Sequence, residues 1–255
     1  MDCFPVQEEC LMHRFYIDSG ISDDGACFLS PEDARHAVTV LRLKTGQKIE
    51  AVRNGVLWDA EITGTDAGTV KVRLIDALPS REAELSVTLF QGLPKADKMD
   101  LIVQKATELG VVRIVPLVMD RCVARPDRKD ITRKLERWNK IAREAGKQSG
   151  RCVIPEVVPP VLLKDISRFP DLPETNVALW EEATCLGPLS FSKSHPGLSS
   201  LGILVGPEGG IEKSEIDLLA SAGFTSLTLG KRILRTETAG MAAVAAFMSL
   251  YGEME

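Results

Sequence analysis

Residues 204–211 read LVGPEGGI and residues 229–240 read LGKRILRTETAG. Each is a glycine-rich turn set between an apolar strand and a helix. Residues 201–205 suit a buried strand, 212–222 read as a helix stopped at Gly223, 225–229 as a second short strand, and Thr236 opens an alanine-rich helix. Glycine lets backbone come close to a ligand, and the bare N–H and C=O groups of such turns can hold a small polar molecule. Two of them after consecutive strands predict one pocket built from neighbouring strand ends. A phosphate cradle at the following helix is the alternative chemistry for the first turn, and an ordinary tight turn is its plain structural reading. No GxxxxGK[ST] pattern follows, which argues against a nucleoside triphosphate.

Outward from these turns, residues 85–91 read as a strand, 98–109 as a helix closed by Gly110 and 111–118 as a strand. A helix follows over 131–147, with strands near 177–180 and 201–205. This alternation predicts an α/β fold with a mostly parallel sheet covered by helices on both faces. Ligands in such sheets bind beyond the carboxyl ends of the strands, where both turns lie. The N-terminal part has a different rhythm. Short strands over 14–17, 26–29, 47–53, 57–63 and 69–75 are separated by turns that include Asn54-Gly55, a hairpin signal. One helix is expected over 31–41, with Pro31 in its first turn. A small barrel of about five strands fits, bounded by Pro79-Ser80-Arg81. The expected domains are therefore 13–79 and 80–255, after an extension over 1–12.

Composition narrows the function classes. The chain of 255 residues is 44% hydrophobic and 26% charged, as in water-soluble globular proteins. Its formal net charge is −5, yet residues 121–151 hold 11 Lys/Arg against 4 Asp/Glu, a local +7 that leaves −12 elsewhere. A basic segment on an acidic protein suggests a polyanionic partner. The six cysteines show no CxxC spacing, and with only three histidines no metal site is expected. The N-terminus lacks the apolar core of a signal peptide, and the longest apolar run, near 241–251, is too short to span a bilayer. A cytoplasmic protein with reduced thiols is expected.

The two glycine turns together resemble the SPOUT class of RNA methyltransferases, and specifically the RsmE family. The likeness extends to HAVTVLRLKTGQKI at 36–49, GLPKADKMDLIVQKATELGV at 92–111 and REAGKQSGR at 143–151. It covers the chain from about His13 onward. The resemblance implies a PUA-like RNA-binding barrel followed by a SPOUT domain with a C-terminal trefoil knot. It implies methylation of N3 of a uridine in 16S ribosomal RNA, with S-adenosylmethionine (SAM) as donor and the small ribosomal subunit as partner. It also implies a homodimer through the C-terminal helix, whose residues 239–250 are apolar around nearly the whole circumference. The rival readings are a SPOUT enzyme of other RNA specificity and a non-enzymatic ribosome-assembly protein.

By the same resemblance, SAM is held by Leu179 and Glu181, by Val205, Gly206, Pro207, Glu208, Gly209 and Gly210, and by Leu229, Gly230, Ile233, Leu234, Arg235, Thr238 and Ala239. Uracil N3 carries a proton at neutral pH and must lose it before it can attack a methyl group. Arg235 cannot act as a base but can stabilise negative charge on a uracil carbonyl. Glu237, near a helix start, is expected to be ionised. It or Glu181 serves as base only with a raised pKa. Arg121, Arg125 and Arg128 in the basic segment, with Arg14 and Arg42 in the barrel, are the expected RNA contacts. His36, in the HxxxVLR pattern, is read as a structural hydrogen-bonder. In the helix over 131–147, Leu135, Trp138, Ile141, Ala142 and Ala145 share one face and basic residues lie opposite.

Overall fold

The computed structural model describes residues 12–17, 26–66, 68–123, 128–184 and 186–254. Two compact units divide between Arg81 and Glu82. In the first, β1 (Arg14–Tyr16), β2 (Ala26–Phe28), β3 (Lys48–Arg53), β4 (Val56–Asp66) and β5 (Thr69–Ala77) form one sheet of order β1-β3-β4-β5-β2. Only β1 and β3 run parallel. The β3–β4 hairpin turns at Asn54 and Gly55, both at positive φ, as expected of Asn-Gly. Alternate residues such as Ile49 and Ala51, Ala60 and Ile62, Val70 and Val72 face a shared core with Phe15, Cys27 and Leu29.

The helix expected over 31–41 is shorter. α1 covers Pro31–Arg35, capped by the Ser30 hydroxyl on the Asp33 N–H. The chain then widens into a π-turn over His36–Val40, in which the Leu41 N–H reaches back to the His36 carbonyl at 3.1 Å. Three β-branched residues in this stretch weaken α-helical packing. Here the expectation for His36 is corrected: its ring is exposed, and its carbonyl, not its imidazole, closes the turn.

The second unit is an all-parallel sheet. Its order is β12 (Phe224–Leu227), β10 (Thr175–Leu179), β11 (Ser200–Val205), β6 (Ser86–Gly92), β7 (Arg113–Val118), β8 (Glu156–Val157), with β9 (Val161–Leu162) also on β7. Helices α2 (Lys98–Glu108), α3 (Arg128–Ser149), α4 (Pro188–Ser194), α5 (Lys213–Ser221) and α6 (Thr236–Leu250) complete it. The strands are apolar runs because both faces are covered, and Leu89, Ile114, Leu201, Ile203 and Leu204 are sealed from solvent. α3 buries Trp138, Ala142 and Ala145, on the face expected from spacing. The apolar circumference of α6 divides in two. Ala243, Val244, Phe247 and Met248 are buried in its own chain, whereas Met241, Ala242, Ala245 and Ala246 are half-buried. Among the described residues, one side of this helix is fully covered and the other partly.

Candidate functional site

Pairing register brings Leu179, Val205 and Gln91 into one row across β10, β11 and β6, with Leu227 of β12 beside Leu179. Four parallel strands thus end together. Beyond that row lies a cavity of about 640 Å³, in the range of small-molecule sites. The two glycine turns form its walls. Of the residues expected to hold the cofactor, Leu179, Glu181, Val205, Gly206, Pro207, Glu208, Gly209, Gly210, Leu229, Gly230, Ile233, Leu234, Arg235 and Ala239 line it. Thr238 does not; it is exposed on the first turn of α6. Lys231, Arg232 and Thr236 of the second turn also line the cavity, as do Lys98, Trp180 and Thr228, which the sequence alone does not single out.

The glycines are required by contact. A Cβ on Gly206 would stand 2.7 Å from Ile211 Cγ1, and one on Gly209 would stand 2.8 Å from Arg121 Cβ. Gly210 has φ +76°, and a Cβ there would meet the Glu181 carboxylate. Beneath the turn runs a buried hydrogen-bond chain. Gln91 Nε2 donates to Thr236 Oγ1 (2.9 Å), which donates to the Gly206 carbonyl (2.7 Å). It ties β6, the first turn and the start of α6 together. In the second turn, the Gly230 N–H is taken by Thr228 Oγ1 at 3.1 Å, with Gly230 at φ +96°.

Lys98 joins both turns. Its ammonium lies 3.1 Å from Glu208 and 3.1 Å from Glu237, three segments far apart in sequence. A cation in the first turn of α2 is disfavoured by the helix dipole, and here two carboxylates outweigh that. Hydrogen bonds to Glu208 and then Glu237 raise the Lys98 pKa further, so it stays charged. For Glu208, burial works against ionisation, but its own N–H, the Lys95 N–H and Lys98 win and lower its pKa. Glu237 is lowered too, first by its own backbone N–H and then, against burial, by Lys98 and Arg235. A base at Glu237 requires a raised pKa. Its carboxyl is instead held ionised in an ion pair, off the cavity lining. Glu181 stands exposed on the wall. Arg235 caps α6 through its backbone, leaving its exposed side chain at the cavity.

Several expected RNA contacts are already engaged. Arg121 pairs with Glu212 (2.6 Å) and donates to the Gly209 carbonyl (2.7 Å), so it braces the first turn. The Glu212 carboxylate is the main reason its pKa is raised. Arg14 is paired with Glu50 at 2.6 Å, both nearly buried. In α3, Arg133 pairs with Asp130, and Arg137 with Asp97 and Asp100. Arg151 is 7% exposed and buried on Glu82. Arg42 is exposed, at φ +56° after the π-turn. Arg125 lies outside the described residues, and of Arg128 only the backbone, opening α3, lies within them. Among the described residues no three His, Cys, Asp or Glu side chains are placed to hold a metal ion, and no helix is long and apolar enough to cross a membrane.

Comparison with known proteins agrees with this geometry. Residues 81–248 match the model of an RNA methyltransferase domain, and residues 29–75 that of an RNA methyltransferase PUA domain. Ribosomal RNA small subunit methyltransferase E of Bacillus subtilis is 35% identical over 92% of this chain and 95% of its own length. The protein of that name from Mycobacterium tuberculosis is 31% identical, covering 91% and 89%. Among solved structures, ribosomal RNA small subunit methyltransferase E from Neisseria gonorrhoeae, bound to S-adenosyl methionine, is 32% identical. It superposes with a TM-score of 0.80 over 96% of this chain and 100% of that one. The chain belongs to the RsmE family of SPOUT-class RNA methyltransferases.

Proposed function

We propose that this protein methylates N3 of a uridine in 16S ribosomal RNA of the small subunit, using SAM. The observation that supports it most is the cavity at four aligned strand ends, walled by two glycine turns, in the first of which Gly206, Gly209 and Gly210 leave no room for side chains. Its size suits a nucleoside with an amino-acid tail, and the Neisseria relative carries that cofactor. When bound, SAM supplies an electrophilic methyl group on a cationic sulfur.

This chain's residues do the rest. The turns at Gly206–Gly210 and Leu229–Leu234 hold the cofactor through backbone. Lys98, Glu208 and Glu237 lock the turns to each other, and Arg121 braces the first from outside. Orientation of the base supplies much of the rate. Arg235, permanently cationic, stabilises the carbonyl oxygen that gains charge as N3 loses its proton. Glu237, held ionised by Lys98, braces the turns rather than taking that proton. Arg42 and the open cations of the cavity rim contact phosphates. The C-terminal helix is threaded in the knot of the SPOUT class, a reading supported by the Gln91–Thr236–Gly206 chain that binds it beneath the first turn. An RNA substrate of this kind places the protein in the cytoplasm with the ribosome. Calorimetry should find one SAM per chain, and absence of binding would remove the reading.

The half-buried apolar face of α6 supports a homodimer. Ala243 is fully buried within its own chain, so charge there would damage the fold itself. Ala246 on the open face separates the two effects. Ala246→Glu is expected to halve the mass measured by light scattering with little loss of thermal stability. An unchanged mass would refute the interface.

A further inference from the structure

Lys98 and Arg121 are engaged by carboxylates, but Lys231 and Arg232 of the second turn are not. Lys231 and Arg232 are exposed on the cavity rim and make no hydrogen bond or ion pair with any other described residue. Between them and Arg235 stands Ile233, 87% exposed, the most exposed large apolar side chain among the described residues. Apolar surface in water is unfavourable, and nothing among the described residues covers this one. Its backbone belongs to the turn, so its side chain is free for another partner. A β-branched residue is also stiff at χ1, which suits a fixed contact.

A pyrimidine has apolar faces and is flanked by phosphates. To reach a methyl group inside a cavity it must leave its stack, and extruded bases are received by apolar side chains. We propose that Ile233 is the surface against which the extruded target nucleotide packs, with Lys231 and Arg232 gripping its flanking phosphates. This rests on the RNA-methyltransferase reading. It assigns the Ile233 side chain to the RNA, while its backbone serves the cofactor turn.

The test compares cofactor and RNA readouts in the full chain. SAM affinity is measured by calorimetry, and methyl transfer to small ribosomal subunits lacking the modification gives kcat/KM. Ile233→Ala and Ile233→Asn should keep SAM affinity within twofold while kcat/KM for subunits falls on the order of tenfold or more. Lys231→Gln with Arg232→Gln should flatten the dependence of log KM on log salt by about 0.7–0.9 for each phosphate that is no longer neutralised. All positions are exposed, and unchanged melting temperatures confirm intact folds. If SAM affinity falls in step with transfer, Ile233 covers the cofactor and the proposal is wrong; unchanged transfer overturns it as well. Wild-type protein that binds SAM yet methylates no RNA would defeat the functional reading beneath it, an outcome visible before any variant is made.

Discussion

Arg151→Leu should cost the protein about 3–5 kcal/mol, the usual penalty for removing one partner of a buried ion pair. The guanidinium is anchored on Glu82 at 2.7 Å and also donates to the carbonyls of Thr107, at 3.1 Å, and Val111. Those carbonyls lie at the end of α2 and just before β7, so one side chain holds three segments. The expected result is a fall in melting temperature on the order of 10 °C by scanning calorimetry. The pair also fixes a pH dependence. Burial disfavours the Glu82 carboxylate, but Arg151 and the N–H groups of Val153 and Cys152 prevail and lower its pKa below 4.5. A depressed carboxyl contributes stability above its unfolded pKa and loses it as pH falls through the folded value. The gap between wild type and variant should therefore narrow below about pH 4.5. A variant that melts within 2 °C of wild type at neutral pH, roughly 1 kcal/mol or less, would show the pair to be inert.

Gly92→Ala should have the largest effect on the cofactor. An added Cβ would stand 2.6 Å from Pro207 N and 2.9 Å from Gly206 C, both backbone atoms of the first turn. Neither can rotate away, so the end of β6 and the turn must part. A misplacement of this kind beneath the site costs on the order of 100-fold in rate, and overpacking removes about 1–3 kcal/mol of stability. Gly64→Ala serves as the control, because its Cβ would meet only Lys71 Cβ at 3.8 Å. Calorimetry should show SAM binding abolished or much weakened in the first variant and unaltered in the second. Equal affinities would mean the contact under the turn does not shape the cavity.

The strand-turn-helix rhythm and the two glycine turns are legible in the sequence because both are local. Apolar runs, glycines and caps lie within a few residues of one another, and the parallel sheet then puts its carboxyl ends on one side. What escapes is non-local. Arg121 and Glu212, Arg14 and Glu50, Arg151 and Glu82 are each brought together only by the fold, so a cation that looks available in sequence is occupied in space. Lys98 escapes for the same reason, although its segment carries the family likeness. The π-turn at His36–Val40 keeps helical spacing long enough to read as helix. α4, β8 and β9 leave no sequence signal: seven residues and two pairs of residues are too short to show a period. Glu237 illustrates a different limit. Its place at a helix start is readable, but its commitment to Lys98 is not.

The central claim is methyl transfer to N3 of a single uridine in 16S ribosomal RNA. It is tested most directly by incubating the protein and labelled SAM with small subunits lacking the modification, then mapping the label by mass spectrometry. The expected product is N3-methyluridine at one site, formed by wild type and absent with Gly92→Ala. Label on a ribose oxygen, on another base, or nowhere despite bound SAM would contradict it.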